Sequence, residues 1–141
     1  MPLVRPIIRP NAPIRATELF EACFEIVPAG FNSPMGPLTP GSIEFDSKRT
    51  ERAKYLTVDV FLEIEAFPYE DRDPQRIAND IHDALSELFP GVSFAVWSKP
   101  VEAGYASDSD DPLFDGDMSM PAAIERAREK VGSALLPDPA H

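Results

Sequence analysis

Apolar and polar residues alternate strictly along residues 55–67, YLTVDVFLEIEAF. Alternation with a period of two is typical of a strand that buries one face and exposes the other. This segment is therefore predicted to be a strand. Its apolar side carries Leu56, Val58, Val60, Leu62 and Ile64.

Three further segments have the composition of strands. Residues 2–8, PLVRPII, open the chain, residues 42–46, SIEFD, are shorter, and residues 92–98, VSFAVWS, place an apolar residue at every second position. Pro6 has no N–H to donate, so it would remove one ladder hydrogen bond if the first strand were central.

Helical spacing of apolar residues occurs in two stretches between these strands. Residues 15–27, RATELFEACFEIV, form the first, which Pro28 is expected to end, and residues 29–41 are rich enough in Gly and Pro to predict a loop. The second is expected to begin with Asp73 as N-cap and Pro74 as the first helical residue. Its apolar stripe consists of Ile77, Ile81, Leu85 and Leu88.

The order strand, helix, strand therefore occurs twice. It predicts a two-layer α+β domain, a duplicated β-α-β arrangement (βαββαβ) over residues 1–105. An acidic linker, ASDSDDPLFDGDM at residues 106–118, leads into a short helix at residues 119–136 with a weak apolar stripe. Residues 106–141 are accordingly expected to be a C-terminal helical extension.

The chain is strongly acidic, with 24 acidic and 13 basic residues and a net charge of −11. Such a charge argues against a nucleic acid or an anionic membrane as the main partner. No segment approaches the roughly 18 consecutive apolar residues of a membrane-spanning helix. A soluble, cytoplasmic protein is therefore expected.

The sequence contains few residues of the kinds that bind metal ions, and it lacks the loop motif that binds nucleotides. The two histidines, His82 and His141, have no partner at ligand spacing, and no glycine-rich loop joins a strand to a helix. Neither a metal site nor a cofactor is therefore expected. The single cysteine, Cys23, lies among apolar residues of the first helix, which predicts a buried structural thiol rather than a nucleophile.

The Met-Pro opening allows two interpretations. Removal of Met1 would leave Pro2 with a secondary amine whose pKa is about 7.7 to 8.0, well below that of lysine, and which could act as a general base near neutral pH. In the other interpretation the proline merely belongs to a frayed, exposed end. Four arginines follow strands or lie near helix starts, where a guanidinium can hold a carboxylate. They are Arg9, Arg15, Arg72 and Arg76.

Pro2 leading directly into a strand, the repeated β-α-β order and the arginines at the strand-to-helix turns resemble the tautomerase superfamily. That superfamily includes 4-oxalocrotonate tautomerase, 5-(carboxymethyl)-2-hydroxymuconate isomerase, macrophage migration inhibitory factor and malonate semialdehyde decarboxylase. The likeness covers about residues 2–105. It is strongest from VDVFLEIEAF through DIHDALSELFPGVSFAVWSKPVEAGY, where family members run strand, helix, strand and finish on an aromatic residue.

The resemblance implies a β-α-β fold assembled as a homotrimer and a cofactor-independent tautomerase or isomerase. The substrate would be a small 2-oxo or enol carboxylate, and a decarboxylase or hydratase of the same mechanism fits equally. Pro2 would act as general base or acid, and Arg15 and Arg72 would bind the substrate carboxylate. Tyr105 would lie at the mouth of the pocket, and no metal or cofactor would take part.

Two alternatives remain open. The first is a non-catalytic oligomeric binding module of the same fold, in which the Met-Pro start is accidental and the acidic tail docks a partner. The second is an unrelated ferredoxin-like α+β binding domain, which has the same element order but no N-terminal site. The acidity and the lack of a basic aromatic strand motif argue against RNA as a ligand of such a domain.

Overall fold

Three α-helices and one mixed four-stranded sheet make up the described part of the protein. The computed structural model describes residues 2–31, 40–41, 43–45, 51–66, 73–100 and 116–135. The predicted α+β class is confirmed. In chain order the elements are β1 (Leu3–Ile8), α1 (Ala16–Phe31), β2 (Glu44–Phe45), a 3₁₀ helix (Glu51–Tyr55), β3 (Val60–Ala66), α2 (Pro74–Leu88), β4 (Phe94–Pro100) and α3 (Met120–Leu135).

The strands lie in the order β2-β1-β3-β4. β1 is parallel to β2 and β3 is parallel to β4, whereas the central pair, β1 and β3, is antiparallel. The chain thus makes a β-α-β unit twice, and the two units meet along the central pair. A ferredoxin-like sheet separates the parallel strands of each unit by another strand. Here those strands are direct neighbours, so the strand order argues against the ferredoxin-like alternative.

β3 begins later than its sequence pattern predicts. The alternation starts at residue 55, but Glu51–Tyr55 forms a 3₁₀ helix and the strand starts at Val60. Pairing with both neighbours also starts there, since Val60 is in register with Ile8 and with Phe94. Residues 56–59 therefore alternate in sequence but precede the paired part of the strand, where the Asp59 carbonyl accepts a hydrogen bond from the N–H of Arg9.

α1 runs three residues past Pro28, to Phe31, so the prediction that Pro28 ends this helix is wrong. A proline cannot donate to the carbonyl four residues earlier, which here belongs to Phe24. The backbone N–H of Gly41 donates to that carbonyl instead, with an N···O distance of 2.8 Å. Gly41 has a φ of 86°, in the left-handed region that glycine adopts without strain.

Pro6 lies in a central strand, where its lack of an N–H can remove one ladder hydrogen bond. The N–H of Arg9 donates to the carbonyl of Asp59 across from β3, so the odd-numbered residues of β1 exchange hydrogen bonds with β3. The nitrogen of Pro6 is directed toward the β2 side. There, β2 pairs only with Leu3 and Val4, so the missing donor falls beyond the end of that short strand.

The hydrophobic core lies between the helices and one face of the sheet. Val4 of β1 and Leu62 and Ile64 of β3 are fully buried on this face. Cys23 of α1 is fully buried as well, as predicted. Other fully buried core side chains are Leu19, Ile26, Val27, Val60, Ile81 and Leu85.

α1 and α2 approach closely at Gly30. A Cβ atom on this residue would lie 2.6 Å from Cγ1 of Ile81, so only glycine permits the observed distance between the helices. α2 begins as predicted, with Pro74 as its first residue and Asp73 as N-cap. The Asp73 side chain accepts a hydrogen bond from the N–H of Gln75 at 3.0 Å.

α3 packs against α1 through small side chains and an ion-pair cluster. Ala123, Ala127 and Val131 of α3 are buried. Of the predicted stripe, Val131 is confirmed, Ile124 is partly buried against the core, and the Leu135 side chain lies outside the described residues. The predicted boundary between residues 105 and 106 also lies outside them.

No helix in the described ranges is long and apolar enough to cross a membrane.

The ion-pair cluster between α1 and α3 is centred on Glu25, whose residue surface is only 4% exposed. Its carboxylate lies 2.7 Å from Nε of Arg126 and 2.7 Å from Nζ of Lys130. Burial alone would raise the pKa of Glu25, but the hydrogen bonds and charges of these two cations outweigh burial and lower it. The cluster therefore links the C-terminal helix to the domain electrostatically.

Candidate functional site

Pro2 lies immediately before β1 and is buried. Its carbonyl oxygen accepts a hydrogen bond from the backbone N–H of Glu44 at the start of β2, with an N···O distance of 2.9 Å. A frayed end would be exposed and would lack such a bond. The interpretation of this proline as part of a frayed end is therefore wrong.

The end of the sheet that holds Pro2 is also the end at which β3 and β4 finish, and we call it the Pro2 end. Leu3 is in register with Glu44 on β2 and with Glu65 on β3, and Glu65 is in register with Lys99 on β4. These four residues form one row on the sheet face away from the helices. The carboxylates of Glu44 and Glu65 and the ammonium group of Lys99 therefore lie in the row that contains Leu3, the residue after Pro2.

Lys99 is a cation of the Pro2 end that sequence reasoning missed. Its Nζ lies 5.9 Å from the centre of the Trp97 ring, within cation–π range. Arg5 lies one row further in and is already paired, with Nη1 2.9 Å from Glu63 and 3.7 Å from Glu65. The alternation in β4 predicts that Lys99 lies on the same face as Trp97, but it does not predict that this face of β4 meets the Pro2 end.

Arg15, the first predicted carboxylate-binding arginine, is not near Pro2 within one chain. Pro2 precedes the first residue of β1, whereas Arg15 follows its last residue, just before α1. The Arg15 side chain is 75% exposed, and its Nε lies 3.7 Å from the carboxylate of Glu18. It is therefore at the opposite end of β1.

Arg72 and Tyr105 both lie outside the described residues, so their predicted roles stay predictions. The chain leaves β3 at Ala66 and re-enters the described part at Asp73, the N-cap of α2. Because β3 finishes at the Pro2 end, the segment that contains Arg72 starts from that end. The segment that contains Tyr105 follows Pro100, the last residue of β4, at the same end.

A second polar cluster, which we call the Asp59 cluster, lies at the other end of the sheet and consists of Arg9, Asp59 and Ser93. Nη2 of Arg9 donates to Oδ1 of Asp59. The N–H and the hydroxyl of Ser93 both donate to Oδ2, at 3.0 and 3.1 Å. The N–H of Asp59 donates in turn to the Ser93 hydroxyl oxygen at 2.9 Å.

These hydrogen bonds determine the protonation of Asp59. The backbone N–H of Ser93 lowers the pKa of this carboxyl most, and the Ser93 hydroxyl and the Arg9 guanidinium lower it further against the opposing effect of burial. Arg9 is thereby committed to an internal carboxylate. It is a poor candidate for binding a substrate carboxylate, although its position after a strand suggested that role.

The remaining candidate side chains do not form a reactive group in the described residues. Burial raises the pKa of the Cys23 thiol to about 12, so this residue remains a thiol at neutral pH. His82 is partly exposed on α2, and its Nδ1 lies 3.1 Å from Oδ1 of Asp83. No group of three metal-ligating side chains occurs among the described residues.

Comparisons with known proteins identify no relative. No protein-family model matches the chain, and no curated protein or solved structure matches it. The resemblance to the tautomerase superfamily therefore rests on the residues and the element order described above.

Proposed function

We propose that this protein is a cofactor-independent tautomerase or isomerase, or a decarboxylase or hydratase of the same mechanism, with Pro2 as general base and acid. The substrate would be a small 2-oxo or enol carboxylate. The observation that carries the proposal is that Pro2 is buried and hydrogen-bonded at the start of a central strand. A group with that position is held in one orientation, as a general base must be.

The strand order also supports the proposal. Two adjacent β-α-β units that meet along an antiparallel central pair agree with the duplicated arrangement that the resemblance to the tautomerase superfamily implies. In this sheet the amino end of β1 lies beside the carboxyl ends of β3 and β4. Loops that follow the carboxyl ends of strands commonly carry binding residues, so a pocket over Pro2 would draw on those loops.

The proposed chemistry requires that the mature chain begin at Pro2. Its nitrogen would then be a secondary amine, and burial disfavours the ammonium form, so the pKa of this amine would fall below the usual range of about 7.7 to 8.0. The neutral amine would remove a proton from the carbon or hydroxyl of the substrate and return it at the other position. Cations near the substrate would stabilise the enolate.

The Pro2 end offers Lys99 as one such cation, and Arg72 would be a second. Arg15 cannot serve the same site within one chain, because it lies at the opposite end of β1. If Arg15 binds the substrate carboxylate, it does so from a neighbouring copy in the homotrimer that the resemblance implies. The active site would then be shared between subunits.

A second candidate function is a non-catalytic oligomeric module of the same fold. The separation of Arg15 from Pro2 favours it, because a single chain does not bring these two predicted site residues together. In this case Pro2 would contribute only to the packing at the start of β1. The two candidate functions differ in one outcome: replacing Pro2 lowers a reaction rate only if the protein is the proposed enzyme.

The test is the rate of phenylenolpyruvate tautomerisation by protein whose intact mass shows that Met1 has been removed. Replacing Pro2 by Ala leaves a primary amine of different geometry and should lower the rate by about 10²-fold or more. Pro6→Ala is the matched control, because it changes a proline of the same strand outside the site and should keep the wild-type rate. Equal rates for wild type and folded Pro2→Ala protein would contradict the proposal.

A further inference from the structure

β4 forms one edge of the sheet, and its backbone groups alternate in direction. Val60 of β3 is in register with Phe94 and donates its N–H to the carbonyl of Ser93 at 3.0 Å. In a parallel ladder this geometry directs the N–H and C=O groups of Phe94, Val96 and Ser98 away from β3. In the described part of the chain, no strand pairs with this outer edge. Unpaired edge groups of this kind can pair with another strand.

The outward-directed residues are spaced evenly about Val96, so the edge is complementary to itself. A two-fold axis at Val96 would set Val96 opposite Val96 of a second copy and Phe94 opposite Ser98. In that antiparallel register each outward N–H meets an outward carbonyl. Pro100, whose nitrogen carries no hydrogen, lies two residues after Ser98, outside the three residues that would pair.

The same register matches a large side chain with a small one on the sheet face away from the helices. Trp97, which is 48% exposed, would lie opposite Ala95 of the second copy, and Lys99 would lie opposite Ser93. Ala95 is in register with Phe61, whose ring already meets Trp97 edge-on with centroids 6.4 Å apart. The second Trp97 would thus join an aromatic cluster, a cross-strand arrangement that stabilises sheets.

Charge also favours a second copy at this edge. The chain has a net charge of −11, so two copies repel each other, and most strongly where carboxylates meet. β4 contains no carboxylate, and its one charged residue is Lys99. The opposite edge strand, β2, contains Glu44. Of the two edge strands in the described sheet, β4 is therefore the one that brings no carboxylate of its own to a second copy.

We propose that β4 pairs with β4 of a second copy across a two-fold axis at Val96, which joins the two sheets into one. A contact of this isologous kind closes after two copies. The homotrimer that the tautomerase resemblance implies needs a different, heterologous contact. The β4 pairing does not depend on the proposed function, since neither Pro2 nor its amine takes part in it.

The first test uses light scattering and the fluorescence of Trp97, which is the only tryptophan in the chain. The pairing predicts an assembly of two copies, or an even multiple, and a blue shift of tryptophan emission as rising concentration covers Trp97. A monomer at tens of micromolar, or a trimer with no even-numbered species, would overturn it. A monomer whose β4 amides resist hydrogen exchange would overturn it too, because another segment of this chain would then cover the edge.

The second test removes one outward donor from each copy. Ser98→Pro deletes an N–H that β3 does not use, and edge strands tolerate proline at such positions. We expect the dissociation constant of the dimer to rise about 10-fold or more, because two intermolecular hydrogen bonds are lost. Ser98→Ala keeps the N–H and is the matched control, with an expected dissociation constant equal to that of the wild type.

A third variant keeps the proposal testable if Ser98→Pro does not fold. Ala95→Glu puts a larger, negatively charged side chain opposite Trp97 of the second copy, while every backbone group of β4 remains. It should abolish the concentration-dependent shift of tryptophan emission, with an unchanged far-ultraviolet circular dichroism spectrum. A wild-type dissociation constant for folded Ala95→Glu protein would show that β4 is not the interface.

Discussion

The two ends of β1 differ in how their polar groups are satisfied. At the far end Asp59 is 6% exposed, and both its carboxylate oxygens accept hydrogen bonds from Arg9 or Ser93. At the Pro2 end Glu44 is exposed, and Arg5 approaches Glu65 only to 3.7 Å. Carboxylates saturated by internal partners stabilise a fold, whereas a site for the proposed carboxylate substrate needs cations that can still bind it, such as Lys99 at the Pro2 end. The comparison therefore indicates a stabilising role for the Asp59 cluster and is consistent with the proposal that the reaction takes place at the Pro2 end.

The largest expected effect comes from comparing a substitution at the Pro2 end with a substitution in the Asp59 cluster. Pro2→Ala should lower the tautomerisation rate by about 10²-fold or more and leave the melting temperature nearly unchanged. Asp59→Asn should do the reverse, because its amide would direct an N–H group at a donor of Arg9 or Ser93 and destabilise the fold. Rates per folded molecule and thermal melts measure both. A rate loss in folded Asp59→Asn protein as large as that in Pro2→Ala would remove the distinction between the ends.

Mixing two inactive variants tests whether Pro2 of one copy and Arg15 of a neighbouring copy form one site. Pro2→Ala and Arg15→Ala chains, unfolded together and refolded as a mixture, should regain part of the wild-type activity if Arg15 serves a site on a neighbouring copy. Each chain refolded alone is the control. Full activity of Arg15→Ala alone would exclude Arg15 from the site, and an inactive mixture of co-assembled chains would exclude a shared site.

A substitution between the helices should change the stability of the fold without changing the Pro2 end or the Asp59 cluster. Gly30→Ala places a Cβ about 2.6 Å from Ile81 and should lower the free energy of unfolding by about 1 to 3 kcal/mol through overpacking. Gly132→Ala is the matched control, because a Cβ there meets no atom within 4 Å and alanine favours the helix. Denaturant unfolding measures both variants. Equal stabilities of Gly30→Ala and wild type would mean that α1 and α2 are less closely packed than described.

The smallest effect is a loss of stability in acid. The pKa values of Asp59 and Glu25 are lowered in the folded state, so each carboxylate stabilises the fold above its unfolded pKa, about 3.9 and 4.3. This contribution is lost as pH falls through the lowered folded values. Melting temperatures should therefore fall as pH decreases below about 4. Asp59→Asn should show a shallower fall than the wild type, and an equal fall would mean that Asp59 is not responsible.

The order of strands and α-helices could be predicted because each of them has a local signal, whereas the 3₁₀ helix at Glu51–Tyr55 was not predicted. The helix at Asp73 and Pro74 has both a cap and a clear apolar stripe, and it begins where predicted. The errors at Pro28 and at residues 55–59 arise from contacts distant in sequence. Gly41 supplies the donor that lets α1 continue past Pro28, and the neighbouring strands limit β3 to Val60–Ala66.

The candidate site could be predicted only in part. Pro2 has a signal at the start of the sequence, but that signal does not distinguish a buried residue from an exposed one. Arg15 has the same local pattern as Arg72, a position between a predicted strand and a predicted helix, but the antiparallel pairing makes β1 and β3 finish at opposite ends of the sheet. Lys99 reaches the Pro2 end through the register of three strands, which no local pattern encodes.

The most direct test of the central claim is the pH dependence of the tautomerisation rate, measured on protein whose intact mass begins at Pro2. If the Pro2 amine is the general base, the rate should rise with pH through a pKa below about 7.7 to 8.0, because burial disfavours the ammonium form. Chemical blocking of the N-terminal amine should abolish the reaction. Full activity in protein that retains Met1, or in protein with a blocked amine, would contradict a catalytic role for Pro2.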